Sequence, residues 1–294
     1  MRSKTLVAHL AVLSANLIYG INYTFAKDVM PGYIKPFGFI FLRAMGALSL
    51  FWTVSFLYGQ EKIERQDFKR LALCGFFGVA LNQLTFFSGL SITSPINAAI
   101  IMTTNPVLVL LAASIILHDR ITFQKITGIS LGIVGAAILI LFKGDFTIDT
   151  STWYGDLLVF INSMSYGIYL VIVSPLMRKY EPLTVIKWVF TFGFLFIIPF
   201  GFNQFNEIEW QSFTLDIWLK TGFVVIFTTF FAYLLGTIGL KSLRPATVST
   251  YIYFQPVFAA FFAIMLGKDE LDLIKIIATL LIFSGVFLVS RKFN

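Results

Sequence analysis

The side chains best suited to meeting a solute are amides and phenols at helical spacing inside apolar runs. Asn16, Tyr19 and Tyr23 lie three and four positions apart, and so do Asn162, Tyr166 and Tyr169, so in a helix each trio shares one face. Such groups exchange hydrogen bonds with a small polar or aromatic molecule. In hydrocarbon each costs free energy, so each must face a cavity or a neighbouring helix. For any one of them both readings stand: it lines an interior, or it bonds to a neighbour for about 0.6 kcal/mol. Asn82 and Gln83, Asn97 and Asn105, Tyr233, Tyr251 and Gln255 add hydrogen-bonding capacity in four further runs. Together these are the candidate solute contacts.

Arg43 belongs with them. It lies about seven residues into an apolar run, roughly 10 Å deep at helical rise, where an unpaired guanidinium is expensive. Either it pairs with a carboxylate, for which Asp156 is the candidate, or it attracts an anionic group on the solute. Lys187, about one turn into its own run, is expected to snorkel. Asn105-Pro106 and Gln255-Pro256 place a proline inside two runs. Each proline removes a backbone hydrogen bond and bends a helix, leaving a carbonyl for a polar neighbour. The bends at Pro106 and Pro256 are either hinges or devices of packing. Asp119 and Arg120 are expected to cap helix ends, with a gate contact as the alternative.

Enzyme chemistry finds little support. HExxH, GxSxG and paired intramembrane aspartates are absent, the two histidines are His9 and His118, and Ser88 and Ser163 have no recognisable base nearby. No catalytic residue, metal or cofactor is expected. The single cysteine, Cys74, excludes an internal disulfide and reads as a small packing residue.

The elements that position these residues lie in lipid. Hydrophobic residues make up 57% of the 294, charged residues 13% and phenylalanine alone 34 positions, with a mean hydropathy of +0.84; soluble domains are about a quarter charged. Ten runs are long enough to cross a bilayer, at 5–26, 36–58, 70–90, 95–117, 124–142, 154–177, 183–203, 217–239, 245–267 and 272–290. Fourteen of the 22 Lys and Arg fall in loops on the amino-terminal side and six on the opposite side, with Arg43 and Lys187 inside runs. The positive-inside tendency then makes both termini cytoplasmic. The net charge of +7 reads as this bias and not as a nucleic-acid surface. The expected partners are the bilayer and a small solute, in a monomer or homodimer. Three targeting patterns are set aside. The first run is too long and too bulky at its end for a cleaved signal peptide. Lys268-Asp269-Glu270-Leu271 is internal, and Asn22-Tyr23-Thr24 lies inside a span.

The chain repeats itself. Adding 150 maps Pro95 to Pro245, Asn105-Pro106 to Gln255-Pro256, Asp119 to Asp269 and Gly135 to Gly285; adding 147 maps Tyr19-Gly20 to Tyr166-Gly167. Residues 1–146 and 147–294 therefore read as two five-helix copies joined by the polar stretch 143–153. Five crossings is odd, so the second copy enters the bilayer inverted. A solute would bind between the copies, which rock as two halves.

The segment from Gly75 to Leu139 resembles the EamA-type repeat of the drug/metabolite transporter superfamily. The residues that carry the likeness are Gln83, Pro106, Asp119-Arg120, Gly128 and Gly135, with Tyr19-Gly20, Arg43 and Gly155-Asp156 beyond the segment. Two positions depart from the pattern: Asp119 stands where Glu is usual, and Tyr19 and Tyr166 stand where Trp is frequent. The resemblance implies an all-α polytopic carrier in the cytoplasmic (inner) membrane that exports a small metabolite, with amino acids or related compounds leading. A lipid or head-group translocase of the same fold is the alternative.

Overall fold

A computed structural model of the chain describes residues 2–30, 32–59, 61–93, 98, 101–141, 153–265 and 273–290. Among them no strand occurs and ten helical stretches are found: α1 (Arg2–Val29), α2 (Pro36–Tyr58), α3 (Arg65–Ile92), α4 (Asn105–Ile116), α5 (Phe123–Leu141), α6 (Trp153–Lys179), α7 (Pro182–Asn206), α8 (Leu215–Ser242), α9 (245–265) and α10 (Leu273–Ser290). Six of these, α1 to α3 and α6 to α8, are long and apolar enough to cross a membrane, and shorter apolar helices are found in α4, α5 and α10. Large apolar side chains point outward, including Phe56 (76% exposed) and Phe123 (82%). A surface of that kind suits lipid and not water. The chain is a polytopic all-helical membrane protein. The proposed linker at 143–153 lies almost wholly outside the described residues, as do Asn97 and Asp269.

Proline opens helices where its missing N–H costs nothing: Pro36 starts α2, Pro182 starts α7 and Pro245 starts α9. Pro106 and Pro256 follow the same rule, which changes the expectation drawn from sequence. Pro106 opens its helix, and Pro256 follows a 3₁₀ turn inside α9. Residues 103–104 form a turn and α4 begins again at Asn105. In α9 a helical turn at Pro245–Thr250 passes through a 3₁₀ turn at Tyr251–Tyr253 before Phe254 starts the next segment. Both prolines thus sit in the first turn after a break.

The most extensive helix contact is between α5 and α10, and it is made by glycines. A Cβ on Gly128 would stand 2.7 Å from the carbonyl oxygen of Gly285, and one on Gly135 would stand 2.7 Å from that of Ala278. The glycine spacing in α5 therefore serves a contact within the chain. Elsewhere α2 runs along α7 through ring pairs such as Phe51–Phe190 at 5.0 Å. Helix α1 packs chiefly on α8 and α9, and α6 on α3 and α4. The main pairings between α1–α5 and α6–α10 recur when each helix is exchanged for the one five places on. The ends carry matching ion pairs: Lys179 at the end of α6 meets Asp67 in the first turn of α3 (2.7 Å) and Glu64 just before it (2.6 Å), and Asp28 at the end of α1 meets Lys220 in α8 (2.7 Å).

Two helices contain π-helical segments at related places, Phe76–Ala80 in α3 and Val224–Phe231 in α8. A π turn leaves backbone carbonyls without their usual donor, and in lipid these must be satisfied from within the protein. Ser165 of α6 donates to the Phe77 carbonyl (2.6 Å), Tyr233 of α8 to that of Gly78 (3.2 Å) and Thr229 to that of Val224 (2.7 Å). The first two of these donors come from the other half of the chain.

We expect Gly285→Val to cost about 1–3 kcal/mol through overpacking, read as a lower unfolding temperature in detergent. Gly222→Ala, whose Cβ would meet nothing within 4 Å, should leave that temperature unchanged or slightly raised. Equal behaviour of the two variants would contradict a glycine-mediated seam.

Candidate functional site

A central cavity of about 800 Å3, counting its open mouth, is lined from six helices and from the residues just before α4. Helix α1 contributes Asn16, Tyr19 and Asn22, α2 Arg43, and α3 Asn82, Gln83, Phe86 and Phe87. Met102 precedes α4, Asn162 and Tyr166 come from α6, Thr228, Tyr233 and Gly236 from α8, and Val248, Ile252 and Gln255 from α9. The π segments deliver part of this set: Asn82 and Gln83 follow one directly, Thr228 lies within the other, and Tyr233 follows it.

Hydrogen bonds fix the amides. Gln255 Nε2 donates to Asn16 Oδ1 (2.9 Å), and Asn16 Nδ2 donates to the Val12 carbonyl (2.9 Å). Asn162 Nδ2 donates to the Asn82 carbonyl across the halves (2.8 Å). Gln83 Nε2 donates to the Tyr233 hydroxyl at 3.4 Å, and the Tyr233 ring meets Tyr19 edge to face at 6.4 Å. Five buried polar atoms in this lining have no partner among the described residues: Asn22 Oδ1, Arg43 Nη1, Gln83 Oε1, Asn162 Oδ1 and Thr228 Oγ1. Each such atom costs on the order of 1–3 kcal/mol when left unmade. Their concentration in one cavity equips it for a hydrogen-bonding guest.

Of the candidates read from sequence, Asn16, Tyr19, Arg43, Asn82, Gln83, Asn162, Tyr166, Tyr233 and Gln255 come together here. Others do not. Asn105 is fully buried and donates to the Ser163 carbonyl at 2.7 Å, so it bonds α4 to α6 instead of lining the cavity. Tyr169 is packed behind Tyr166, against Gly78. Tyr251 faces a separate apolar groove, where its hydroxyl meets His9 Nδ1 at 2.6 Å. Asn97 and the side chain of Tyr23 lie outside the described residues.

Two expectations about charges are overturned. Asp156 is not the partner of Arg43: it accepts a short hydrogen bond from Thr93. Arg43 Nε donates instead to Thr229 Oγ1 (3.0 Å), with its guanidinium 4.2 Å from the Phe87 ring centroid. Lys187 does not snorkel. Only 2% exposed, it donates to Ser55 (2.8 Å) over the Trp52 ring at 4.5 Å, because Ser55 and Trp52 of α2 lie directly opposite. Asp119 makes a backbone bond at the end of α4, its N–H donating to the Ala113 carbonyl (3.2 Å), while its carboxylate lies 3.9 Å from Lys125 Nζ.

Asn22, Thr228, Phe86 and Phe87 were not among the candidates. Asn22 continues the stripe of Asn16 and Tyr19 by three positions, a signal present in the sequence but masked by its place in a glycosylation pattern. The two phenylalanines could not be singled out among 34.

Comparison with known proteins places the geometry in a class. The EamA-like transporter family matches twice, over residues 6–141 and 153–291. An uncharacterized transporter, YyaM of Bacillus subtilis, is 26% identical over 98% of this chain and 94% of its own length. A probable terminal-alkyne amino-acid exporter of Streptantibioticus cattleyicolor is 27% identical over 48% of this chain and 46% of its own. One crystal structure shares the fold with a TM-score of 0.75 and 18% identity, covering 98% of this chain and 96% of that one.

Asn105→Ala removes the amide that satisfies the Ser163 carbonyl and should lower stability by on the order of 1 kcal/mol. Lys187→Met, which replaces a buried cation lacking an ion partner among the described residues by a similar apolar volume, should be neutral or stabilising. Thermal unfolding of the purified variants in detergent checks both; a loss of stability in Lys187→Met would mean that its bond to Ser55 outweighs the burial of its charge.

Proposed function

Because the chain belongs to the EamA-like transporter family, we propose that it exports a small metabolite, with an amino acid or related compound leading, across the cytoplasmic membrane by alternating access. The observation that carries the reading is the central cavity, lined from both halves and holding polar atoms that no helix uses. The name of the Streptantibioticus relative supports the cargo class. The surplus of Lys and Arg in amino-terminal-side loops supports cytoplasmic termini.

Inverted copies are supported by three internal correspondences: the exchange of helix partners, the two π segments and the local irregularities before Pro106 and Pro256. The moving parts, however, are not the intact halves. Swinging residues 1–146 against the rest would tear α1 from α8 and α9, and α6 from α3 and α4. The units that can stay whole are mixed: α1 with α8 and α9 on one side of the cavity, α6 with α3 and α4 on the other. The ion pairs Asp28–Lys220 and Asp67–Lys179 each lie inside one mixed unit. The breaks before Pro106 and Pro256 are then the places where these units flex.

Two tests follow. Tyr19→Ala, Asn162→Ala and Gln255→Ala should each cut uptake into sealed inverted vesicles at least about tenfold, the equivalent of 1.4 kcal/mol, with membrane abundance unchanged; transport that survives in all three removes the cavity from the pathway. In a Cys74→Ala background, cysteines replacing Asp67 and Lys179, or Asp28 and Lys220, joined by a short bismaleimide, should leave transport intact. Arrest on joining would restore motion of whole halves.

A further inference from the structure

Arg43 is the only charged residue among the described residues that line the cavity. Three contacts hold its guanidinium: Nε donates to Thr229 Oγ1, the ring of Phe87 lies beneath it and that of Phe39 lies 5.8 Å away. Thr229 spends its own proton on the Val224 carbonyl, so its oxygen can serve Arg43 only as an acceptor. That arrangement fixes the direction of the fork. Nη1 is buried with no hydrogen-bond partner, and no carboxylate among the described residues lies within ion-pair distance. A charge so placed is costly to the empty protein, and an arriving anion relieves the cost.

The unused acceptors of the same cavity are the amide oxygens Asn22 Oδ1, Gln83 Oε1 and Asn162 Oδ1 and the hydroxyl of Thr228, and of these Gln83 and Asn162 come from opposite halves of the chain. Aromatic and aliphatic surface, including Phe86 and Ile252, makes up the remainder. A fork of donors, separate neutral acceptors and apolar walls complement a molecule with one carboxylate, one ammonium and an apolar side chain. A phosphate dianion would need a second cation, and a simple amine would meet Arg43 as a like charge.

We propose that Arg43 anchors the single carboxylate of the solute, with the amide oxygens of Gln83 and Asn162 accepting from its ammonium, so that the site takes the carboxylate form of an amino acid and refuses its amide. The identity of the cargo rests on the transport reading; the anchoring role does not, because it is a matter of binding.

Binding is therefore measured apart from transport, by ligand-induced thermal shift of the purified full chain with phenylalanine, leucine and their carboxamides. Wild type should favour the acids over the amides at least about tenfold. Arg43→Gln should abolish that preference while unfolding at the same or a higher temperature without ligand, whereas a purely structural arginine would leave a less stable protein. Thr229→Val keeps the charge but frees the fork, and should reduce the preference about fivefold, the worth of roughly one hydrogen bond; this variant decides the matter should Arg43→Gln not fold. Amides that bind as well as acids, a preference that survives in Arg43→Gln or is undiminished in Thr229→Val, or a wild type that binds no acid of the set would each overturn the proposal. Acid binding without uptake into sealed vesicles would leave the anchor standing and remove the carrier reading. Uptake confined to solutes lacking a carboxylate would do the reverse.

Discussion

A backbone carbonyl inside a bilayer has no water to turn to, and this constraint organises the molecule. Where α3 and α8 adopt π turns, carbonyls lose their regular donors, and hydroxyls of Ser165, Tyr233 and Thr229 take their place. Two of these bonds cross between the halves, so satisfying the backbone also ties the copies together. The same irregular turns carry Asn82, Gln83, Thr228 and Tyr233 into the interior. Without the π segments these side chains would fall on another face of their helices, and the polar lining would be buried among neighbours or presented to lipid.

Much of the fold could be read from hydropathy and repetition because both are properties of long segments. The expected runs agree closely with the helices, for example 36–58 with Pro36–Tyr58 and 272–290 with Leu273–Ser290. What escaped were events of a single turn. No pattern in FFGVA or VVIFTTFF separates a π turn from an ordinary helix, and a proline in an apolar run does not reveal whether the helix bends or stops. Pairing across the halves escaped as well. That Arg43 meets Thr229, and Asp156 meets Thr93, depends on which helices lie side by side.

The candidate site was legible in proportion to helical register. Tyr19 and Asn16 could be placed on one face with Tyr166 and Asn162 on its counterpart, and all four line the cavity. Tyr169 and Asn105 were misplaced because an amide or a phenol in lipid has two ways to be satisfied. Spacing within one helix does not say whether a neighbour stands opposite. Lys187 is the sharpest case: depth alone suggested an escape to the interface, yet Trp52 and Ser55 offered a closer resting place.

The glycine seam of α5 and α10, like the pairings of α2 with α7 and α4 with α9, joins each helix to its own counterpart. In a duplicated bundle, such self-paired contacts lie on the pseudo-twofold axis. On the proposal that the copies are inverted, the outward-facing form would be the inward-facing form with the copies interchanged, and contacts on the axis would favour neither form. A resting balance between such forms would then depend on positions that differ between the copies. Offset by the 146 positions that relate Pro36 to Pro182, Arg43 corresponds to Val189 and Lys187 to Phe41. One of these cations borders the interior and the other is sealed in the wall, so neither buried charge has a counterpart of its own kind in the other half.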